Sequence, residues 1–133
     1  MLLVASGRLA NIAVFGRNYD TPDGTCIRDY IHINDLCEAH WLALQSLMQG
    51  AGSQRYNLGK GNGFSVQEVI DAARRVTRQP IAVLDAPRRD GDPARLVADA
   101  TLARQQLGWN PQFPALDTLV AHAWGSEQTV AAE

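Results

Sequence analysis

Two clusters of side chains in this sequence have the types and spacing to hold a phosphorylated ligand. The segment PRRDGDP, residues 87–93, sets Arg88 and Arg89 directly ahead of Asp90 and Asp92. Adjacent guanidiniums each offer a planar fork of donors, which suits a phosphate or diphosphate. A neighbouring carboxylate suits sugar hydroxyls. Upstream, Arg28 and Tyr30 lie two apart in CIRDYIHI, residues 26–33. On a strand they share one face and put a second cation beside a phenol. The competing reading of the loop is a solvated surface on which Arg88 and Arg89 pair with Asp90 and Asp92.

Other constellations imitate chemistry without meeting its geometry. The turn GKGNG, residues 59–63, follows an extended stretch and precedes a helical pattern, and Asp85 ends the next strand-like run. That order imitates a dinucleotide fingerprint, but the third glycine should stand where Phe64 is. Tyr56 and Lys60 have the spacing of a Tyr-x-x-x-Lys pair, which needs a helix to bring positions four apart together. Here the pair straddles an extended stretch and a glycine turn. His32, His40 and His122 are scattered, and Cys26 and Cys37 form no C-x-x-C pair, so no metal site is expected. No G-x-S-x-G elbow is present.

The elements that must position these groups follow from periodicity. IAVFG, residues 12–16, reads as a strand, and residues 18–25 as a loop rich in Asp, Pro and Gly. Alternation in residues 26–33 predicts a second strand. Asn34 or Asp35 should cap the next helix, with Leu36, Ala39, Ala43, Leu44 and Leu47 as its apolar stripe and Gly50 and Gly52 beyond its end. RYNLG, residues 55–59, predicts a strand. Ser65 and Glu68 form a capping box for a helix over 66–77, stopped by Pro80. Residues 81–85 predict another strand, and LVA, residues 96–98, a short extended piece. Asp99 caps a helix through Leu107 that ends at Gly108, and a last helix spans 116–128.

A chain of 133 residues fits one α/β domain over 1–133, long enough to bury a core without disulfides or metal. The formal charge of −2 leaves no basic field for nucleic acid or an anionic membrane. No apolar run approaches the ~20 residues of a membrane helix, and the opening MLLVAS lacks a basic flank before its apolar run. Two unframed thiols suit a reducing compartment, so a cytoplasmic location is expected.

The stretch IAVFGRNYDTPDGTCIRDYIHINDLCEAHWLAL, followed in order by YNLGKGNGFSVQEVI, APRRDGDPARLVAD and LARQQLGWNPQF, resembles the UDP-glucose (UDP-galactose) 4-epimerase family. The shorter RDYIH–DL piece is shared across the wider extended short-chain dehydrogenase/reductases. The resemblance implies an α/β fold corresponding to the C-terminal substrate-binding lobe, lacking the N-terminal Rossmann portion. In the full-length family NAD takes a hydride from C4 of the sugar and returns it to the other face, and a tyrosine transfers the proton. The NAD fingerprint and the catalytic Ser/Thr and Tyr-x-x-x-Lys groups have no counterpart here. The implied reading is therefore a UDP-sugar-binding part, inactive alone and binding no cofactor by itself. By the same resemblance Phe15 lies near the uracil, Arg28 and Arg89 hold the diphosphate, Asp92 bonds the ribose, Tyr30 lines the pocket and Leu96 faces the sugar. A strand edge and helix faces left without a large sheet predict a homo-oligomer. The alternative function is an oligomeric, non-catalytic interaction module with no working nucleotide site.

Overall fold

Ser65 and Glu68 start a helix as their spacing predicts. In the computed structural model, which describes residues 1–131, the Ser65 hydroxyl accepts from the Glu68 N–H at 3.0 Å and the Glu68 carboxylate accepts from the Ser65 N–H at 2.7 Å. This reciprocal pair satisfies two N–H groups that a helix start leaves open. The helix, α3, covers Val66–Thr77 and buries Val69, Ile70, Ala72 and Ala73 on one face. Arg78 ends it in the left-handed region, two residues before Pro80.

In chain order the elements are α1 (Leu2–Ala5), β1 (Ile12–Phe15), β2 (Ile27–Arg28), α2 (Ile33–Met48), β3 (Phe64–Ser65), α3, β4 (Val83–Ala86), β5 (Arg95–Leu96), α4 (Thr101–Leu107) and α5 (Leu116–Ala131). Two small sheets carry the site. β1 runs parallel to β4, with Ile12 opposite Val83 and Phe15 opposite Ala86. β2 lies between antiparallel β3 and parallel β5, so Arg28 stands opposite both Phe64 and Leu96. Helices α1, α3 and α5 enclose one apolar cluster around Val4, Ala72, Ala73, Ile81 and Val120. Arg75 braces α3 against α5 through two hydrogen bonds to Asp117. A second cluster joins α2 to α4 through Ala39, Ala100, Ala103 and Trp109.

Several expected elements differ. The strand expected over 26–33 shrinks to Ile27–Arg28, because Asp29 is diverted. Its carboxylate accepts from the backbone N–H groups of Lys60 and Ala98, at 3.1 and 3.2 Å. Helix α2 begins earlier than expected, capped by His32, whose Nδ1 accepts from the Asn34 N–H at 3.1 Å. Asp35 is not the cap. It is 1% exposed and accepts from the N–H groups of Gln112 and Phe113, while its own carbonyl accepts from the Trp109 indole. The stripe expected on α2 is half right: Ala39 is buried, whereas Leu44 and Leu47 face outward. Residues 55–59 form no strand, and the strand expected over 81–85 sits at Val83–Ala86. Ala100 rather than Asp99 is the capping position of α4, although the Asp99 carboxylate still accepts from the Thr101 N–H. Among the described residues, no helix is long and apolar enough to cross a membrane.

The double role of Asp35 has a measurable consequence. Asp35→Ala leaves two shielded backbone N–H groups without an acceptor, at a cost of roughly 2–4 kcal/mol. Urea unfolding should show the midpoint falling accordingly. Asp35→Asn, which keeps one acceptor oxygen, should fall in between.

Candidate nucleotide-binding site

The parallel pairing of β1 with β4 brings two carboxyl strand ends together, the place where open α/β sheets hold ligands. Phe15 ends β1. Pro87, Arg88 and Arg89 leave the end of β4. The Arg89 guanidinium lies 3.7 Å above the centre of the Phe15 ring, and Arg88 lies 3.9 Å above that of Tyr19. Cation–π contact thus holds each arginine in one place. Neither has a carboxylate within 4.0 Å among the described residues, so the solvated pairing with Asp90 and Asp92 does not form. Gly16 permits the arrangement: its φ is +86°, and a Cβ there would overlap the Arg88 stem and approach Tyr19 Cε2 to 2.7 Å.

Asp92 turns instead to Arg28. Their oxygen and nitrogen are 2.5 Å apart, and Arg28 Nη1 also donates to the carbonyls of Ile27 and Pro93 at 2.7 and 3.0 Å. Three of the five donors of Arg28 are thereby used. Its Nε–H and one Nη2–H remain, as does the second oxygen of Asp92. A cleft of about 180 Å³ is lined by Phe15, Gly16, Thr25, Arg28, Arg89 and Asp92 among others. Arg28 also borders a second cleft of about 430 Å³ that includes Asp29, Asn57 and Leu96. Leu96 is 61% exposed there. Tyr30 is half-buried and lines neither cleft; burial raises its phenol pKa, Cys26 acts in the same sense, and Arg28 opposes.

The loop before β2 is fixed by a knot of hydroxyls on Asp23. Its carboxylate accepts from the N–H and hydroxyl of Thr25 at 2.9 and 2.7 Å, and from the Ser65 hydroxyl. Thr25, fully buried, accepts in turn from the Gln67 N–H. Burial disfavours the charged form of Asp23, but the bonds from Ser65 and Thr25, with Arg17 nearby, outweigh it and hold its pKa below the ordinary value.

The decoys separate. The Tyr56 hydroxyl donates to Gln106, and the Lys60 ammonium to the Pro114 carbonyl, so the two do not converge. Burial lowers the Lys60 pKa, against the pull of Asp29 and Asp35. The GKGNG turn does not fit a dinucleotide. Gly59 is packed against Asp29 and Ala98, Gly63 against Val97 and Ile27, and the capping box already occupies the start of α3. Asp85 is paired with Arg17. A meeting that the sequence concealed is that of His32 and His122. His32 Nε2 lies 2.8 Å from His122 Nδ1, and Phe113 stacks on His32. Since His32 Nδ1 accepts from Asn34, its Nε2 carries the proton and donates to His122.

A family model described as GDP-mannose 4,6 dehydratase matches residues 9–122. The chain belongs to the GDP-mannose 4,6 dehydratase family. Within it, the chain is similar to proteins named UDP-glucose 4-epimerase. That of Halalkalibacterium halodurans is 52% identical over 124 residues, which are 93% of this chain and 37% of the relative. The chain thus spans little more than a third of the curated relatives it matches. A crystal structure of a UDP-glucose 4-epimerase has a TM-score of 0.92 at 53% identity, covering 96% of this chain and 39% of that one. Another, from Stenotrophomonas maltophila with bound NAD and formylated UDP-arabinopyranose, has a TM-score of 0.91 at 41% identity, covering 98% and 39%. The expected α/β portion of a larger family fold is what the chain adopts.

The Asp23 knot carries a pH prediction. Its folded pKa lies below the unfolded one, so its contribution to stability is present above the ordinary carboxylate range and is lost as pH falls through the folded value. Melting temperature should therefore drop below about pH 4, and Asp23→Asn should flatten that part of the profile while lowering stability at neutral pH.

Proposed function

We propose that this chain is the UDP-sugar-binding part of a UDP-glucose 4-epimerase-type protein. The observation that carries the reading is the Arg89 guanidinium, parked on Phe15 at the carboxyl ends of two parallel strands with no carboxylate to neutralise it among the described residues. A cation held over an aromatic shelf beside a second arginine suits a nucleoside diphosphate: the ring offers a face to a flat base, and the guanidiniums offer forks to the phosphates. Phe15 then lies near the uracil, and Arg89 with the two spare donors of Arg28 holds the diphosphate. The free oxygen of Asp92 accepts from a ribose hydroxyl. Leu96 faces the sugar, whereas Tyr30, which lines neither cleft, takes no part in the reading. The Stenotrophomonas maltophila relative was solved with a UDP-sugar, and that of Bifidobacterium longum, 38% identical with a TM-score of 0.81, with NAD+ and UDP.

The residues here bind and orient; they do not perform the redox step. NAD supplies hydride chemistry in the family, and this chain's glycine turn does not fit it. The chain alone is therefore inactive as an epimerase, and the groups that act on the sugar come from outside it.

Thermal unfolding with UDP, UDP-glucose and NAD in parallel tests the reading. At ligand a hundredfold above the dissociation constant, binding stabilises by about 2.7 kcal/mol, a shift of several degrees for a chain of this size. UDP and UDP-glucose should both produce it, and Arg89→Ala should weaken UDP at least tenfold. A response to NAD alone, or to none of the three, overturns the proposal.

A further inference from the structure

The glycine turn that does not fit a dinucleotide still has donors to spare. Gly61 and Gly63 have φ of +90° and +69°. The backbone N–H groups of Gly61, Asn62 and Gly63, in succession, meet no acceptor among the described residues, whereas those of Lys60 and Ser65 on either side are bonded to Asp29 and Glu68. Successive N–H groups in a turn of this kind make a concave seat for an anion. The start of α3 is not part of it, because the capping box already serves that end.

A second, independent observation lies beside the turn. A cleft of about 320 Å³ is lined by Lys60, Asn62, Gly63, Phe64, Arg104 and Pro111 among others. The Lys60 ammonium rests 4.6 Å from the centre of the Phe64 ring and donates to the Pro114 carbonyl, which leaves donors over. Arg95 reaches the turn as well, its Nη2 donating to the Asn62 carbonyl at 2.8 Å. None of Lys60, Arg95 and Arg104 has a carboxylate oxygen within 4.0 Å among the described residues. Burial disfavours the charged form of Lys60 more than Asp29 and Asp35 favour it, so an anion brought into the cleft relieves an uncompensated charge.

The donor set specifies the ligand. Backbone N–H groups, an ammonium and a guanidinium come from different parts of the wall. The two oxygens of a carboxylate lie in one plane and cannot meet all of them. A phosphate group spreads three terminal oxygens around a tetrahedron and carries close to two charges near neutral pH. The volume lies at the lower end of small-molecule clefts, which leaves room for a short organic body on the phosphate, against Pro111 and the Phe64 edge.

We propose that the cleft between the GKGNG turn and Arg104 is a second anion site that takes a small phosphate monoester, with the N–H groups of residues 61–63, Lys60 and Arg104 on its oxygens. None of its lining residues lines the clefts around Phe15 and Leu96. The proposal therefore does not depend on the UDP-sugar reading.

The test is a titration of the whole chain with glycerol 3-phosphate, followed through the amide signals of Gly61, Asn62 and Gly63 by NMR. Acetate, chloride and glycerol at matched ionic strength serve as controls. The expected result is a saturable shift of all three signals with glycerol 3-phosphate alone. Arg104→Gln, at an exposed side chain, and Lys60→Gln should each weaken binding at least fivefold, and Lys60→Arg should restore most of the loss. Arg89→Ala should leave the titration unchanged. The proposal is overturned if the three signals do not move or do not saturate, or if acetate or chloride moves them as far. It is equally overturned if Arg104→Gln leaves the affinity intact, or if Arg89→Ala abolishes the response, which would place the phosphate in the nucleotide cleft. UDP binding is scored separately, on the signals of Phe15 and Gly16, so either reading can fail without the other.

Discussion

The pairing of β1 with β4 is the constraint on which the candidate site rests. Four residues from the start of the chain and four from beyond α3 run side by side, so that one ends in an aromatic ring and the other opens into two arginines. Neither half is a site alone. Phe15 without β4 is a half-exposed ring at a strand end, and Arg89 without β1 is one more charge in a polar loop. The ladder also explains why Gly16 must be small: the chain turns away from Phe15 directly beneath the Arg88 stem, bonded by its N–H to the Ala86 carbonyl.

Four carboxylates hold the surrounding backbone in place. Asp23 gathers hydroxyls, Asp29 joins the glycine turn to the stretch after β5, Asp35 seats the segment after α4, and Asp92 steadies Arg28. Three of them accept from backbone N–H groups, which irregular segments would otherwise leave unpaired. This is how a chain with strands of two to four residues maintains defined loops. Its sheets have too few ladder bonds to hold them alone.

Local signals were legible in proportion to how local their physics is. The capping box at Ser65 and Glu68, the stripe of α3 and the glycine after α4 depend on neighbours within a few residues, and their positions follow directly from the sequence. The shortening of the strand after Cys26 depends on Asp29 reaching residues far along the chain, which no alternation pattern encodes. The same holds for Asp35, which has the spacing of a cap yet serves a distant turn, and for His32 meeting His122. At the site, charge and spacing marked Arg88, Arg89 and Arg28 as phosphate ligands by type. Their actual partners, two aromatic rings from residues 15–19 and the Asp92 carboxylate, come from two separate parts of the chain. On α2 the sequence offers more apolar positions than one face can use, and periodicity alone did not say which set turns inward.

The stacking of Arg88 and Arg89 on Tyr19 and Phe15 bears on the entropy of recognition. A free arginine side chain gives up about 2 kcal/mol of rotamer freedom when it is fixed. Here that freedom is already restricted by the rings before any anion arrives. The ordering penalty then falls on folding instead of on association, so a ligand meets a surface that is already set. A lysine at either position would keep the charge but not the flat contact, and its flexible stem would return the penalty to the binding step.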